Sequence, residues 1–276
     1  MTWLVTGAGG MLGTDLAARL PGAAALGRSD LDLLDPDAVR AALREHRPST
    51  VVNCAAWTAV DDAEADEDGA LAVNGTAVET LAGACAEIGA RLVQISTDYV
   101  FDGRGDRPYA EDAPANPVNA YGRTKLAGER AAAKAGAYIV RTAWLYGAHG
   151  PNFVRTMTRL AAERDTVSVV DDQLGQPTWT GDLADRIIAL VESGAPAGIY
   201  HGTSAGQVTW YGLTREIFIL LGLDPARVRP VTSAEFPRPA PRPAYSVLGH
   251  DGWAAAGLPP MRGWREALHA AWPTLR

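Results

Sequence analysis

The sequence is short of cysteine and of long apolar runs, and each shortage excludes a class of protein. Its 276 residues contain only two cysteines, Cys54 and Cys85, and both lie within apolar stretches. This excludes a disulfide-rich secreted fold and a cysteine-based zinc site, and it favours two reduced, buried thiols. No apolar run approaches the ~18 residues of a membrane-spanning helix, and the opening residues MTWLVTG lack a signal-peptide pattern. We therefore expect a soluble, cytoplasmic protein with no membrane partner.

The chain also has fewer positively charged than negatively charged residues. Lysine and arginine number 25 against 32 aspartates and glutamates, which gives a formal net charge of −7. That balance disfavours nucleic acid or an anionic membrane surface as the main partner. An anionic small molecule remains compatible with it, because a local pocket can oppose the overall sign. Hydrophobic residues make up 47% of the chain, which is enough to bury a full core.

Short apolar strands alternate with amphipathic helices through about residue 146, with no tight hairpin signal between them. This rhythm predicts right-handed βαβ units. The fold class is therefore α/β, a Rossmann-like doubly wound parallel sheet with a smaller C-terminal substrate-binding lobe. We expect a dinucleotide-binding domain over residues 1–148, with returning segments near 182–204. The lobe would take up most of residues 149–276.

Two segments of unusual composition give weaker indications of their structure. The acidic run DDAEADEDG (residues 61–69) is typical of a solvated helix start. The stretch PRPAPRPAY (residues 237–245) is too rich in proline for a helix or a strand. We expect it to be an ordered, extended surface segment, because a further amphipathic helix with Trp264, Leu268 and Trp272 follows it.

The motif that first indicates a ligand is a glycine turn. Gly7, Gly10 and Gly13 follow an apolar strand and open a helix. Glycines let a backbone approach a pyrophosphate closely, and the helix N-terminus supplies free amides and a partial positive charge. A plain tight turn is the alternative, but three glycines in phase favour a dinucleotide site.

The residues at the end of the second predicted strand help to decide between NAD and NADP as the dinucleotide. An NAD-type site usually places an acid there, hydrogen-bonded to the ribose 2′-hydroxyl. Here Gly27 aligns with that position and is followed by Arg28 and Ser29, which suit a 2′-phosphate. We therefore expect NADPH. A solvent-facing Arg28 is the alternative, and the nearby Asp30 and Asp32 keep NADH possible.

The candidate catalytic groups are a phenol and an ammonium four residues apart, Tyr121 and Lys125. Positions i and i+4 share one face of a helix, and a nearby ammonium is expected to lower the pKa of a tyrosine. Such a phenol can protonate a carbonyl oxygen while hydride reaches the carbon, and the ammonium can also bind the nicotinamide ribose. Thr97 and Asp98 follow an apolar strand, whose carboxyl end faces the ligand crevice of an open parallel sheet. Thr97 can donate a hydrogen bond to the same carbonyl oxygen.

Taken together, these motifs resemble those of the extended short-chain dehydrogenases/reductases, and among them most closely those of the dTDP-4-dehydrorhamnose reductase family. The likeness covers nearly the whole chain, and it rests on the glycine turn and on the segments STDYVF, AYGRTKLAGE, VRTAWLYG, NCAAWTAVDDAE, DDQLGQPT and RPAYSVL. The resemblance implies NADPH-dependent reduction of the 4-keto group of dTDP-4-dehydro-L-rhamnose. The implied partner is thus a dTDP-sugar, and a homodimer is possible.

The resemblance also implies roles for individual residues. Tyr121 would be the proton donor, Lys125 its partner and Thr97 the carbonyl hydrogen-bonder, while Asp98 and Trp144 would contact the sugar. The cofactor contacts that it implies, in addition to Tyr121 and Lys125, involve Gly10, Met11 and Leu12 at the pyrophosphate, Asp32 and Leu33 at the adenine end, and Ala56, Trp57 and Thr58 on the other side.

Charge and expected placement alone make Arg155 and Arg242 candidates for the substrate diphosphate. Some relatives hold magnesium between subunits. Asp15 matches one ligand position of that site, but Gly181 stands at another, so we expect no metal.

Two other classes of function stay open. One is another sugar-nucleotide enzyme, such as an epimerase or an antibiotic-sugar ketoreductase. A 4,6-dehydratase is disfavoured, because Thr97 and Asp98 are followed by Tyr99 where elimination chemistry needs a glutamate base. The other is a non-catalytic, nucleotide-binding regulatory subunit, in which the Tyr121/Lys125 pair would be free to drift.

Overall fold

The computed structural model describes residues 1–275 of the chain. The strands are β1 Trp3–Thr6, β2 Ala24–Leu26, β3 Thr50–Asn53, β4 Arg91–Thr97, β5 Tyr138–Thr142, β6 Leu145–Tyr146, β7 Val167–Val170, β8 Leu174–Gly175, β9 Thr178–Trp179, β10 Ile199–His201, β11 Val208–Thr209 and β12 Val228–Val231. The α-helices are α1 Met11–Arg19, α2 Pro36–His46, α3 Val60–Ala65, α4 Glu67–Leu71, α5 Ala77–Glu87, α6 Ala120–Lys134, α7 Phe153–Glu163, α8 Thr180–Ser193, α9 Trp210–Leu220, α10 Asp251–Ala255 and α11 Trp264–Leu275, with a π-helical turn over Ala72–Thr76.

Six strands form one parallel sheet in the order β10-β5-β4-β3-β1-β2. The chain moves outward from β1 to β2, then crosses back to β3 on the other side of β1. The strand order therefore reverses beside β1, and the loops that follow β1 and β3 diverge there. A crevice at this point is the usual ligand site of open α/β sheets.

Helices cover both faces of the sheet, which confirms the predicted doubly wound α/β fold. On one face Leu12 and Leu16 of α1, with Leu20 directly after it, are buried in a core shared with α8. On the other face the core contains α2 and α5, including Val39 and Leu43. Helix α2 begins at Pro36, where the Asp35 carboxylate accepts hydrogen bonds from the amides of Asp37 and Ala38.

A separate apolar core holds the C-terminal part of the chain. It packs α7, α9 and α11 around the paired strands β7 and β12, and Trp264, Leu268 and Trp272 are buried in it as expected. Strand β10 comes from beyond residue 148 yet pairs with β5 in the main sheet. The division at residue 148 stays a prediction. Within residues 1–275, no helix is long and apolar enough to cross a membrane.

The acidic run is largely solvated and forms helix starts, as expected: Asp62, Glu64, Asp66 and Asp68 are exposed. It forms α3 and α4, and two of its carboxylates also contact α6. Glu64 accepts a hydrogen bond of 2.7 Å from the amide of Ala120, at the start of α6. Glu67 pairs with Arg123 through two hydrogen bonds of 2.8 and 2.7 Å. These partners lie more than fifty residues away in sequence, so the acidic run alone could not indicate them.

Helix α6 is also tied to the sheet by a buried ion pair. Glu129 and Arg141 meet through two hydrogen bonds of 2.8 Å, and both side chains are almost completely buried. The ion pair joins α6 to β5. A buried pair of this kind adds little net stability, but the removal of one partner leaves an uncompensated charge.

We therefore expect Glu129→Gln to lower the free energy of unfolding by about 3 kcal/mol, because Arg141 would stay charged in the interior. Urea denaturation measures the change. Glu163→Gln is the matched control, since Glu163 forms an exposed i,i+4 pair with Arg159 and should cost less than about 0.5 kcal/mol. Equal effects of the two variants would contradict the expectation.

Candidate active site

The glycine turn lies at the carboxyl end of β1, where the strand order reverses. Gly7 has a φ of +65°, and a Cβ there would come within 2.6 Å of the Ala55 amide nitrogen. A Cβ on Gly13 would collide with the Gly7 carbonyl oxygen. The turn is closed by a 3.0 Å hydrogen bond from the Gly10 amide to that same carbonyl. These positions tolerate only glycine because the backbone segments touch one another.

Helix α1 begins directly after the turn. Its N-cap is Gly10, which offers no side chain to cap the first amides. The N-terminus is therefore a suitable anion site. Met11 is half-buried, but the Leu12 side chain points into the core. Any contact of Leu12 with a pyrophosphate would have to come from its backbone amide.

The turn after β2 exposes the predicted cofactor-selecting residues. Arg28 and Ser29 are both solvent-exposed. The Asp30 carboxylate accepts a 2.8 Å hydrogen bond from the Gly27 amide, so an acid does occupy this turn. Asp32 is exposed and caps the Leu34 amide at 3.0 Å. The half-buried Leu33 packs against the core beneath, so its side chain is largely structural.

The loop after β3 is held by Asn74, which lies in the π-helical turn. Its side-chain oxygen accepts a hydrogen bond of 2.9 Å from the Trp57 amide, and its nitrogen donates to the Trp57 carbonyl at 3.1 Å. The same nitrogen donates to the Thr124 hydroxyl of α6 at 3.1 Å. Asn74 thus joins the predicted cofactor loop to the helix that carries the candidate catalytic pair. Ala56 and Trp57 are half-buried and Thr58 is exposed in this loop.

Helix α6 places Tyr121 and Lys125 above the carboxyl end of β4. The Lys125 Nζ atom donates a 2.7 Å hydrogen bond to the Ile95 carbonyl. Burial lowers the pKa of Lys125 to about 8, against a smaller opposing effect of Glu129. Tyr121 packs beside Trp57 against small alanines, and its ring meets that of Tyr99 edge-on at 5.6 Å.

Thr97 and Asp98 end β4 beside Tyr121, as the sequence predicts. The Thr97 hydroxyl donates a hydrogen bond of 3.0 Å to Asp98 Oδ1. Asp98 is 2% exposed, and this burial raises its pKa to about 6, against hydrogen bonds from Ser246 and Thr97 that favour the carboxylate. The structure therefore brings a phenol, a hydroxyl and a buried carboxyl group together at one strand end.

The expected effect of Lys125 on Tyr121 is not seen. Burial raises the pKa of Tyr121 to about 12, with the Asp98 charge in the same direction and the Thr97 hydrogen bond opposing it. The expectation was wrong because burial desolvates the phenolate, and the Lys125 Nζ is directed at the Ile95 carbonyl. A neutral phenol at physiological pH is the form that a proton donor requires.

Trp144 has an unusual backbone, with a φ of +47°. Such a conformation is rare for a bulky residue and is often found at functional sites. The main sheet's strand β5 stops two residues earlier, at Thr142, and β6, directly after Trp144, pairs with β9. The indole stacks on Trp210, with ring centroids 3.5 Å apart.

A cavity of about 320 Å³ lies beside this stack. It is lined by apolar and aromatic side chains, including Tyr99, Phe153 and Trp210, and by the two arginines Arg238 and Arg242. Its volume is at the lower end of the range for small-molecule sites. A planar, apolar group and an anionic group could therefore bind side by side.

The two diphosphate candidates differ in position. Arg242 lines the cavity, whereas Arg155 is exposed and donates a 2.6 Å hydrogen bond to the Ala148 carbonyl. Asp15, the residue that matched a metal-ligand position, accepts a 2.5 Å hydrogen bond from Thr180 and pairs with Arg19 at 3.2 Å. The prediction that no metal binds remains a prediction.

Sequence reasoning missed four residues that shape the site. Tyr99, Trp210 and Ser246 are ordinary by residue type and become notable only through their contacts. No sequence signal distinguished Asn74. Tyr99 follows the predicted site residue Asp98, and Ser246 lies in the segment RPAYSVL, but neither position indicated a role by itself.

Comparison with known proteins agrees with this geometry. Residues 1–276 match the family described as the RmlD substrate binding domain. The chain is 60% identical to a dTDP-4-dehydrorhamnose reductase of Streptomyces griseus, over 99% of this chain and 93% of that protein. It is 57% identical to a dTDP-4-keto-6-deoxy-D-glucose reductase of Streptomyces niveus, over 99% and 97% of the two chains.

A solved structure shares the whole fold. The crystal structure of dTDP-4-dehydrorhamnose reductase from Bacillus anthracis in complex with NADP superposes with a TM-score of 0.95 at 37% identity. The match covers 99% of this chain and 98% of that one. The two chains therefore have the same arrangement of sheet and C-terminal lobe.

The raised pKa of Asp98 predicts a pH-dependent stability cost. Its pKa is 3.8 in a model compound and about 6 in the folded chain. The folded state thus binds more protons than the unfolded state between these values, and stability falls as pH rises from about 4 to 6. Asp98→Asn removes the charge, so the variant should be more stable than the wild type at pH 7, by up to about 3 kcal/mol.

Urea unfolding at pH 5 and pH 7 tests this, with a smaller gain expected at pH 5. Asp102→Asn is the control of opposite sign, because hydrogen bonds from Arg104 and Tyr109 lower the pKa of Asp102. An Asp98→Asn variant that is no more stable than the wild type at pH 7 would contradict the expected cost.

Proposed function

This chain belongs to the dTDP-4-dehydrorhamnose reductase family, and on that premise we propose that it is an NADPH-dependent oxidoreductase that reduces the 4-keto group of dTDP-4-dehydro-L-rhamnose to give dTDP-L-rhamnose. One observation of the structure supports the proposal most directly. The neutral phenol of Tyr121, the Thr97 hydroxyl and the Lys125 ammonium lie together at the carboxyl end of β4, close to the glycine turn. We further propose that this synthesis of a nucleotide sugar takes place in the cytoplasm.

The chain's own residues fit the cofactor. The turn from Gly7 to Gly13 packs so tightly that a Cβ on Gly7 or Gly13 would strike the neighbouring backbone, and the uncapped amides of α1 adjoin it. A pyrophosphate would bind there, with the adenine end towards Arg28, Ser29 and Asp32. The loop with Ala56, Trp57 and Thr58 would flank the opposite side. When bound, NADPH supplies the hydride that reduces the carbonyl carbon.

The protein's part in the reaction is proton donation and charge stabilisation. Tyr121 gives its hydroxyl proton to the carbonyl oxygen as negative charge develops there. Thr97 donates a hydrogen bond to the same oxygen, and the Lys125 ammonium stabilises the phenolate that remains. Burial raises the pKa of Tyr121 to about 12, so the phenol stays protonated before the step without help from a low-pH environment.

The cavity beside Trp210 suits the nucleotide half of the substrate. Its aromatic wall can stack a pyrimidine base, and Arg242 can bind the diphosphate. Asp98 and the Trp144–Trp210 stack would then lie at the sugar. We therefore assign Arg242, rather than Arg155, to the diphosphate, because Arg242 lines the cavity and Arg155 does not.

A second candidate is reduction of the stereoisomeric 4-keto-6-deoxy-D-glucose nucleotide. The relative from Streptomyces niveus favours it, since it is named for that substrate and is 57% identical. The catalytic groups would be unchanged, because the two substrates differ in sugar configuration and not in the bond that is reduced.

The test is to supply NADPH with dTDP-4-dehydro-L-rhamnose or with dTDP-4-keto-6-deoxy-D-glucose. Loss of NADPH absorbance gives the rate, and NMR gives the configuration of the product. The proposal predicts a larger kcat/KM for the rhamnose precursor and a rhamno-configured product. Turnover of dTDP-4-keto-6-deoxy-D-glucose alone would support the second candidate in place of the first. If neither compound is turned over, both candidates are refuted.

Replacement of the proton donor should impair chemistry and not binding. We expect Tyr121→Phe to lower kcat by roughly 10²–10⁴, the usual contribution of a general acid, with the Kd for NADPH nearly unchanged. Lys125→Met should lower kcat and also raise that Kd, because the lost ammonium also binds the nicotinamide ribose. Steady-state kinetics and fluorescence titration measure the two quantities, and near-normal turnover of Tyr121→Phe would assign the proton to another group.

Cofactor preference should depend on the turn after β2. A charged hydrogen bond to the 2′-phosphate contributes roughly 1.5–3 kcal/mol, so Arg28→Ala should lower the NADPH-to-NADH ratio of kcat/KM by about 10- to 100-fold. Asp30→Asn is a useful companion variant, because it removes the acid that neighbours the phosphate site. It should raise the NADPH-to-NADH ratio of kcat/KM. An unchanged ratio in Arg28→Ala would show that another residue discriminates.

A further inference from the structure

The proline-rich segment over residues 236–243, here called the strap, crosses the rim of the cavity and is fastened to the acidic helix α3. Arg238 and Arg242 both line the cavity from the strap. Each also forms a 3.0 Å ion pair with Asp61, one with Oδ2 and the other with Oδ1. One carboxylate thus holds the two cationic groups that face the cavity.

Backbone contacts fasten the strap at the same place. Asp61 Oδ1 accepts a hydrogen bond of 3.2 Å from the amide of Ala240, between the two arginines. Asn119, the N-cap of α6, donates a hydrogen bond of 2.9 Å to the Pro241 carbonyl. These hydrogen bonds therefore hold the strap in a fixed position against both α3 and the start of α6, the helix that carries Tyr121.

Few other contacts could position the arginines. Arg242 is 16% exposed and has one further hydrogen bond, to the Ala240 carbonyl of the strap itself. Arg238 is 54% exposed, and Asp61 is its one side-chain partner among the described residues. Phe236, at the beginning of the strap, is also 56% exposed. The ordering entropy of a long arginine side chain is large, so the loss of Asp61 would leave both guanidinium groups free to sample other directions.

We propose that Asp61 is a positioning residue for the substrate diphosphate, which acts by aiming Arg238 and Arg242 into the cavity. An arginine has five donors in a planar fork, so each guanidinium can retain Asp61 and still donate to a phosphate oxygen. Asp61 balances only part of the positive charge of the pair, which leaves the rim cationic. This inference rests on the proposed function, because it takes the diphosphate of a nucleotide sugar as the ligand of the cavity.

The location of Asp61 makes its effect specific to substrate. It lies on α3, away from the glycine turn and from the hydrogen bond between Lys125 and β4. Loss of its charge should weaken binding of the nucleotide sugar without a change in the chemical step or in the binding of NADPH.

The experiment compares Asp61→Asn with Asp62→Asn in steady-state kinetics and in titrations with thymidine 5′-diphosphate. Asp62 is the matched control, since it is exposed and outside these ion pairs. For Asp61→Asn we expect a roughly tenfold rise in the KM for the nucleotide sugar and in the Kd for the diphosphate, the effect of one misplaced charged hydrogen bond. The kcat should stay within about twofold and the KM for NADPH should not change, because the partners of Asp61 are the two arginines and the Ala240 amide, not the reacting groups or the glycine turn.

A double-mutant cycle with Arg242→Gln completes the test. If Asp61 acts through the arginines, its substitution should add little to the Kd of an Arg242→Gln variant. The inference is overturned if Asp61→Asn binds the diphosphate as tightly as the wild type, or more tightly, or if kcat and the KM for NADPH change as much as the KM for the sugar. A wild type that binds no thymidine diphosphate and reduces no nucleotide sugar would instead overturn the proposed function.

Discussion

The close docking of α6 on the sheet is the constraint on which the rest of the site depends. A Cβ on Gly122 would collide with the Tyr99 carbonyl, and one on Gly128 would collide with the Asn74 carbonyl. The helix can therefore approach both neighbours only because it has no side chains at these points. This approach brings Lys125 within hydrogen-bond distance of the Ile95 carbonyl and Tyr121 beside Thr97. The buried polar partners of α6, Asn74 and Arg141 among them, then fix its register.

The same docking sets the electrostatics of the site. Burial raises the pKa of Tyr121 to about 12 and that of Asp98 to about 6, and it lowers the pKa of Lys125 to about 8. Each shift disfavours a charged form, so the protein stores an unfavourable free energy where its chemistry is expected. For a reductase this is useful, because the donor must hold its proton until charge develops on the carbonyl oxygen. Perturbed groups clustered at a strand end are also a general sign of a functional site.

Local patterns in the sequence were sufficient to predict much of this. The glycine spacing and the i,i+4 pair Tyr121/Lys125 each depend on a few neighbouring residues. The structure places the glycine turn between β1 and α1 and the pair on α6. Contacts between distant segments could not be predicted. The pairing of Asp61 with Arg238 and Arg242 joins residues far apart in sequence, and an acidic run considered alone indicates only a solvated helix. The pKa of Tyr121 was misjudged for a related reason, because sequence spacing reveals a nearby charge but not the depth of burial.

The central claim is that hydride passes from the cofactor to C4 of the sugar and that the oxidised cofactor then leaves. The most direct measurement supplies NADPH that carries deuterium at both hydrogen positions of the nicotinamide C4, together with dTDP-4-dehydro-L-rhamnose, and locates the deuterium by NMR. The account predicts one deuterium bonded to C4 of the sugar, with one equivalent of free NADP⁺ for each product formed. Product without deuterium at C4, or a cofactor that stays bound and is regenerated in each cycle as in an epimerase, would contradict it.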